Sequence, residues 1–128
     1  MDVRYTSTTE GIDWDALAYL LSRAGLGNRP PAVLESLFRQ SQVTVFAYDD
    51  GQLVGAARAL SDYTLWSVVF DVAVDPVCQG KGIGAALVKR ILQLAGTPNA
   101  MLKSNPGKER FYEMLGFELM PLGMERRS

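Results

Sequence analysis

The chain has 128 residues, 13 basic and 14 acidic, a formal net charge of −1 and no histidine. This length supports one domain with one sizeable core, and the balanced charge gives no basic excess for nucleic acid or an anionic membrane. The lack of histidine removes Ser-His-Asp and Cys-His sites and most zinc sites, so proton transfer falls to carboxylates, Tyr, Lys, Cys or water.

A single cysteine excludes an intrachain disulfide framework and fits a reducing compartment. Met1-Asp2-Val3-Arg4 leads into polar residues, and no apolar run approaches membrane-spanning length. These features lead to the expectation of a cytoplasmic protein.

In chain order, Val3–Thr8 is a candidate first strand. Asp13–Arg23 places Trp14, Leu17, Ala18 and Leu21 on one helical face, with Gly25 just beyond. Pro30-Pro31 breaks the chain, and Pro31 suits the first turn of a second helix over Ala32–Gln40. Val43–Tyr48 and Gln52–Leu60 flank Asp49-Asp50-Gly51, a hairpin signal in which Asp-Gly supplies the positive φ. The two aspartates therefore belong to a turn and are no acid/base couple. Trp66–Val74 is a further strand and Gly82–Ala95 a helix with apolar positions 83, 87, 88, 91, 92 and 95. A short strand near Ala100–Lys103 follows. Asn105 can cap a helix starting at Pro106, with Gly116 as its left-handed terminator, and Phe117–Leu122 closes as a strand. The order β-α-α-β-β-β-α-β-α-β predicts a mixed sheet covered by helices, of the α+β (α/β mixed) class, in one domain spanning 1–128. The strands at Trp66 and Ala100 should be parallel, because a helix joins them.

The segment Gln79-Gly80-Lys81-Gly82-Ile83-Gly84 sits between a strand and a helix. A P-loop needs Ser or Thr after its lysine, and Gly82 follows Lys81. A dinucleotide turn needs G-x-G-x-x-G, and Gly84 comes one residue early. What remains is a helix mouth whose first amides, from Gln79 to Ala85, are bare, partly positive and suited to a pyrophosphate. Glycines at 80, 82 and 84 keep side chains away, and Lys81 adds a cation. Three such glycines would be costly for a plain connection.

The Q-G-K-G-I-G run resembles the Q/R-x-x-G-x-G/A signature of the GNAT superfamily of N-acetyltransferases. Upstream, Asp71–Pro76 is similar to the fourth strand of that family, and downstream Phe111–Phe117 is similar to its F-Y-E-x-x-G-F segment. The resemblance implies a GNAT-like fold, a central and mostly antiparallel mixed sheet of about six strands flanked by about four helices. It further implies acetyl-coenzyme A as co-substrate, no metal, and a primary amine of a small molecule, arylalkylamines included, as acceptor. The backbone of Val72, Ala73 and Val74 would pair with the pantetheine arm, and the amides of Gln79, Gly80, Lys81, Gly82, Ile83, Gly84 and Ala85 would hold the pyrophosphate. Tyr112 matches the general acid that returns a proton to the coenzyme A thiolate, and it would also border the cofactor. Asn105 stands where a side-chain contact to the cofactor or a helix cap is equally suitable, and Lys108 reads as a solvated helix lysine.

Asp71 is the odd residue in Val68–Val74. Strand alternation places it with Val69 and Ala73, opposite Phe70, Val72 and Val74. In an apolar strand its pKa would rise, suiting a base for the substrate ammonium; the alternatives are a solvated carboxylate or one bound to an amide or to Arg58. Cys78, with no histidine to activate it, is read as inert. Competing functions are a non-catalytic acyl-coenzyme A binding or regulatory domain, and acetylation of protein N-termini or lysines. With little structure to close the acceptor side, a homodimer would complete the site.

Overall fold

A computed structural model describes residues 2–128. Its strands are β1 (Val3–Thr6), β2 (Val43–Asp49), β3 (Gln52–Ser61), β4 (Trp66–Val74) and β5 (Asn99–Leu102). The helices are α1 (Trp14–Arg23), α2 (Pro31–Arg39), α3 (Ile83–Ala95) and α4 (Glu109–Glu113), with a short 3₁₀ turn at Pro76–Cys78. Among the described residues no helix is long and apolar enough to cross a membrane.

The sheet order follows the chain, β1-β2-β3-β4-β5. The first four strands pair antiparallel, and β5 joins β4 in parallel across the α3 crossover. Asp50 and Gly51 both have positive φ, 50° and 77°, as the tight β2–β3 turn requires. Period-two alternation divides the sheet between two cores. Val45, Ala47, Ala57 and Ala59 pack under α3 with Leu87 and Ile91. Phe46 and Ala56 pack against Leu17, Leu21, Leu34 and Phe38 of α1 and α2. Gly55 admits α3 closely: a Cβ there would lie 3.1 Å from Leu87 and 3.2 Å from Ala47 and Ile83. That approach seats the start of α3 beside the end of β4.

The class and element order match expectation, while two C-terminal details differ. Asn105 is no helix cap. Its carbonyl accepts the Lys108 amide at 3.1 Å in a turn through Gly107 (φ 88°), and α4 starts at Glu109. Phe117–Leu122 joins no strand, so the sheet has five strands rather than six. Pro121 lacks the N–H a ladder needs, and the Gly123 amide closes a turn onto the Met120 carbonyl at 3.2 Å.

Candidate functional site

The connection from β4 to α3 is braced by side chains. Asp75 accepts the Val77 amide at 3.0 Å and pairs with Arg23 at the end of α1 at 3.1 Å. Gln79 Nε2 donates to the Val74 carbonyl at 3.2 Å, tying the loop back to the strand. Gly80 and Gly82 adopt left-handed φ of 80° and 84°, and Gly82 is the N-cap of α3. Among the described residues, the amides of Gly80, Lys81, Gly82, Ile83, Gly84 and Ala85 donate to no protein acceptor. Six successive N–H groups at one helix mouth therefore await an acceptor, the arrangement that favours a phosphate. The expected seventh differs, since the Gln79 amide already reaches the Pro76 carbonyl at 3.4 Å. Lys81 is exposed and lies outside the cleft lining, so its expected cationic contribution is not built into the cleft wall.

The cleft exists because β4 and β5 part company. Their pairing covers only Trp66–Val69 against Asn99–Leu102. Beyond it, residues 70–74 keep their β3 neighbours on one edge while the other edge faces a cavity of about 1040 Å³. Val72 and Val74 line this cavity together with the glycine turn, Asn105 and Tyr112. Ala73 points the other way, into the α1–α2 core, and offers the cleft no side chain. Gly84 is fixed by a neighbour: a Cβ would sit 3.3 Å from the Phe111 ring. Cys78 is buried and borders the cavity. Lys108 lies ahead of α4, not within it, and also borders the cavity.

Asp71 departs from its expected place, and of the alternatives the sequence left open it takes the bond to Arg58. Asp71 and Val72 together oppose Ala57, since Phe70 pairs with Arg58 and Ala73 with Ala56. This bulge breaks the alternation, so Asp71 does not share a face with both Val69 and Ala73; those two residues enter opposite cores. The carboxylate accepts from Arg29 Nη2 at 2.7 Å, Arg29 Nη1 at 3.1 Å and Arg58 Nε at 2.8 Å. Burial pushes its pKa up, but the two guanidiniums outweigh burial and hold it below the usual carboxylate range. An acid so held is a weak base, and the role of proton acceptor is withdrawn from Asp71.

Tyr112 is partly buried between Phe111 and Phe117, with ring centroids 4.9 Å and 5.8 Å away in edge-on geometry. Burial raises its pKa, which keeps the phenol protonated near neutrality. Tyr112 thus packs between these rings while bordering the cavity. Sequence reasoning missed Arg29, Leu26 and Arg127 on the cavity wall. Arg29 gave no local signal, because it reaches Asp71 across 42 residues.

A splayed β4–β5 edge thus lies next to a glycine-bearing helix mouth. The chain belongs to the acetyltransferase (GNAT) family, whose model matches residues 13–117. It is 36% identical over 127 residues to serotonin N-acetyltransferase 2, chloroplastic, of Oryza sativa subsp. japonica, covering 93% of this chain and 62% of that protein. It is 32% identical over 123 residues to GCN5-related N-acetyltransferase 1, chloroplastic, of Arabidopsis thaliana, covering 92% and 62%. The chain thus spans about three fifths of the length of these curated relatives. The structure of a GNAT-family acetyltransferase from Streptococcus pneumoniae TIGR4 superposes with a TM-score of 0.83 at 25% identity, covering 99% of this chain and 98% of that one. The chloroplastic relatives overturn the cytoplasmic expectation. That expectation rested on one cysteine and a polar start, which do not separate one reducing compartment from another.

Proposed function

We propose that this domain moves an acetyl group from acetyl-coenzyme A to a primary amine of a small molecule, by direct attack through a tetrahedral intermediate. The observation that carries this reading is the run of six unpaired amides from Gly80 to Ala85 at the mouth of α3, opening into the β4–β5 cleft. The residues fit the donor. The amides suit the pyrophosphate, the free edge of Val72–Val74 suits the amide-bearing pantetheine arm, and Asn105 has its side chain available at the cleft wall. Main-chain N–H on β4 would receive the negative charge that develops on the thioester oxygen.

Tyr112 would return a proton to the departing thiolate. Reference pKa values of about 10 for a phenol and 8.5 for a thiol make this transfer uphill by roughly 2 kcal/mol. Burial raises the Tyr112 pKa further, and burial of the forming thiolate in the same cleft offsets that rise. Because Asp71 is committed to two arginines, the acceptor ammonium would lose its proton to water. A second copy of the chain is retained as the element that would close the acceptor side; full activity from a monomer in sedimentation would dispose of it.

The deciding assay is thiol release from acetyl-coenzyme A against small amines, polyamines, aminosugars and peptides. Release with a small amine supports the proposal. Release with peptides alone would point to protein acetylation, the activity in the name of a Glycine max relative, histone acetyltransferase TAP1. Binding without any release would leave an acyl-coenzyme A binding domain.

A further inference from the structure

Strand β4 changes face inside the site. Val69 packs under α3, and so do Val72 and Val74, while Ala73 joins the opposite core. One extra residue achieves this switch, and Asp71 supplies it with a left-handed φ of 55°. Few L residues hold that conformation unaided, and even Asp needs the surroundings to fix it. The surroundings here are two arginines from different elements. Arg29, in the α1–α2 connection, donates twice to the carboxylate and once to the Leu26 carbonyl at 3.4 Å. Arg58, on β3, donates from Nε to Asp71 and from Nη1 to Ser41 Oγ at 3.3 Å. Its guanidinium also lies 4.8 Å from the Phe70 ring centre and 5.9 Å from that of Phe38. The Arg58 side chain is only 10% exposed, so its orientation is closely determined.

An ion pair placed for stability alone could sit anywhere on the sheet. This one grips the single left-handed residue of β4, immediately before the cleft-lining Val72. We propose that Arg58 and Arg29 are positioning residues: acting through Asp71, they set the bulge of β4 and so aim the main chain of residues 72–74 at the acetyl donor. In this arrangement the carboxylate is a backbone clamp and takes no substrate proton. The inference rests on the acetyl-transfer reading of the cleft and assigns that site its geometry.

The test separates a clamp from a base by giving the backbone another way to hold its shape. Glycine adopts a φ near 55° without a clamp, whereas alanine does not. In both double variants Arg58→Met keeps the buried stem and removes the buried guanidinium, so that only Arg29, 30% exposed, is left without its carboxylate. Asp71→Ala/Arg58→Met is expected to lose about 100-fold in kcat, within the span typical of misplaced reacting groups. Coenzyme A affinity should fall far less than kcat, since the glycine turn keeps the Asp75–Arg23 pair as a brace outside residues 72–74. Asp71→Gly/Arg58→Met should recover at least roughly 10-fold in kcat, with the pH–rate profile of the wild type. The amide resonances of Val72 to Val74 should move in the alanine variant and return towards wild type in the glycine variant. Arg29→Lys, at a half-exposed position, should shift the same resonances and lower kcat with unchanged melting temperature. A glycine variant as inactive as the alanine variant, or one without the acidic limb of the pH profile, overturns the clamp. So do resonances that ignore both substitutions. If the wild type releases no thiol with any amine, the proposed function fails, and the resonances alone still decide the clamp.

Discussion

Replacing Gly82 by alanine adds one methyl group at the N-cap of α3. Gly82 has a φ of 84°, and no atom lies within 4 Å of the position its Cβ would take. No clash arises in the free protein, so the stability cost is conformational, roughly 1–2 kcal/mol for an L side chain in the left-handed region. For 128 residues, an unfolding entropy of about 2.1 cal/mol/K per residue converts this into a melting temperature lowered by about 4–7 °C. Gly51 offers a matched control: its φ is 77°, it too faces open space, and it turns the β2–β3 hairpin away from the cavity wall. Gly51→Ala should cost the same few degrees. The two differ in what the open space is for. At Gly82 the methyl enters the room proposed for the pyrophosphate, and one displaced amide-to-phosphate hydrogen bond is worth about 1.5–3 kcal/mol. Isothermal titration with acetyl-coenzyme A should show affinity reduced roughly 10- to 150-fold in Gly82→Ala and unchanged in Gly51→Ala. Equal affinities in the two variants would refute a diphosphate seated at this helix mouth, whatever their melting temperatures.

Tyr112→Phe keeps the ring packed between Phe111 and Phe117 and removes the proton; kcat should fall roughly 100-fold or more, with coenzyme A affinity unchanged in titration, and undiminished turnover would end the general-acid role. Gly55→Ala sets a methyl about 0.5 Å too close to Leu87, Ala47 and Ile83, as the 3.1–3.2 Å approaches require; urea denaturation should show about 1–3 kcal/mol lost through overpacking. The clamp at Asp71 predicts acid sensitivity. Its folded pKa lies below the unfolded value of about 3.9. The associated stability is therefore full above that value and lost as pH falls through the folded pKa. The melting-temperature gap between wild type and Asp71→Asn should be constant from pH 7 to about pH 5 and shrink below about pH 4; a gap that persists at lower pH would deny the ionised clamp.

Local chemistry made much of this protein legible in its residues alone. Asp50-Gly51 announces a tight hairpin because few other pairs accept positive φ twice, and Val43–Ser61 folds accordingly. The spacing of Ile83, Leu87, Val88 and Ile91 defines the buried face of α3, and the glycines ahead of it mark the bare helix mouth, because both signals act within a few residues. Two features depended on distant groups, and a third differed for a reason local to its own segment. For Asp71 the sequence left open a base of raised pKa, a solvated carboxylate or a bond to an amide or Arg58. Only the assembled chain brings Arg29 and Arg58 to it, across 42 and 13 residues. Phe117–Leu122 had strand-like composition, but Pro121 and the turn at Gly123 keep it off the free edge of β5. The cleft itself is a consequence of β5 pairing with only the first four residues of β4, a decision made by the register of two strands and written in neither of them. Short-range conformational preference settles elements and turns from sequence; ion pairs, register and strand divergence require the assembled chain.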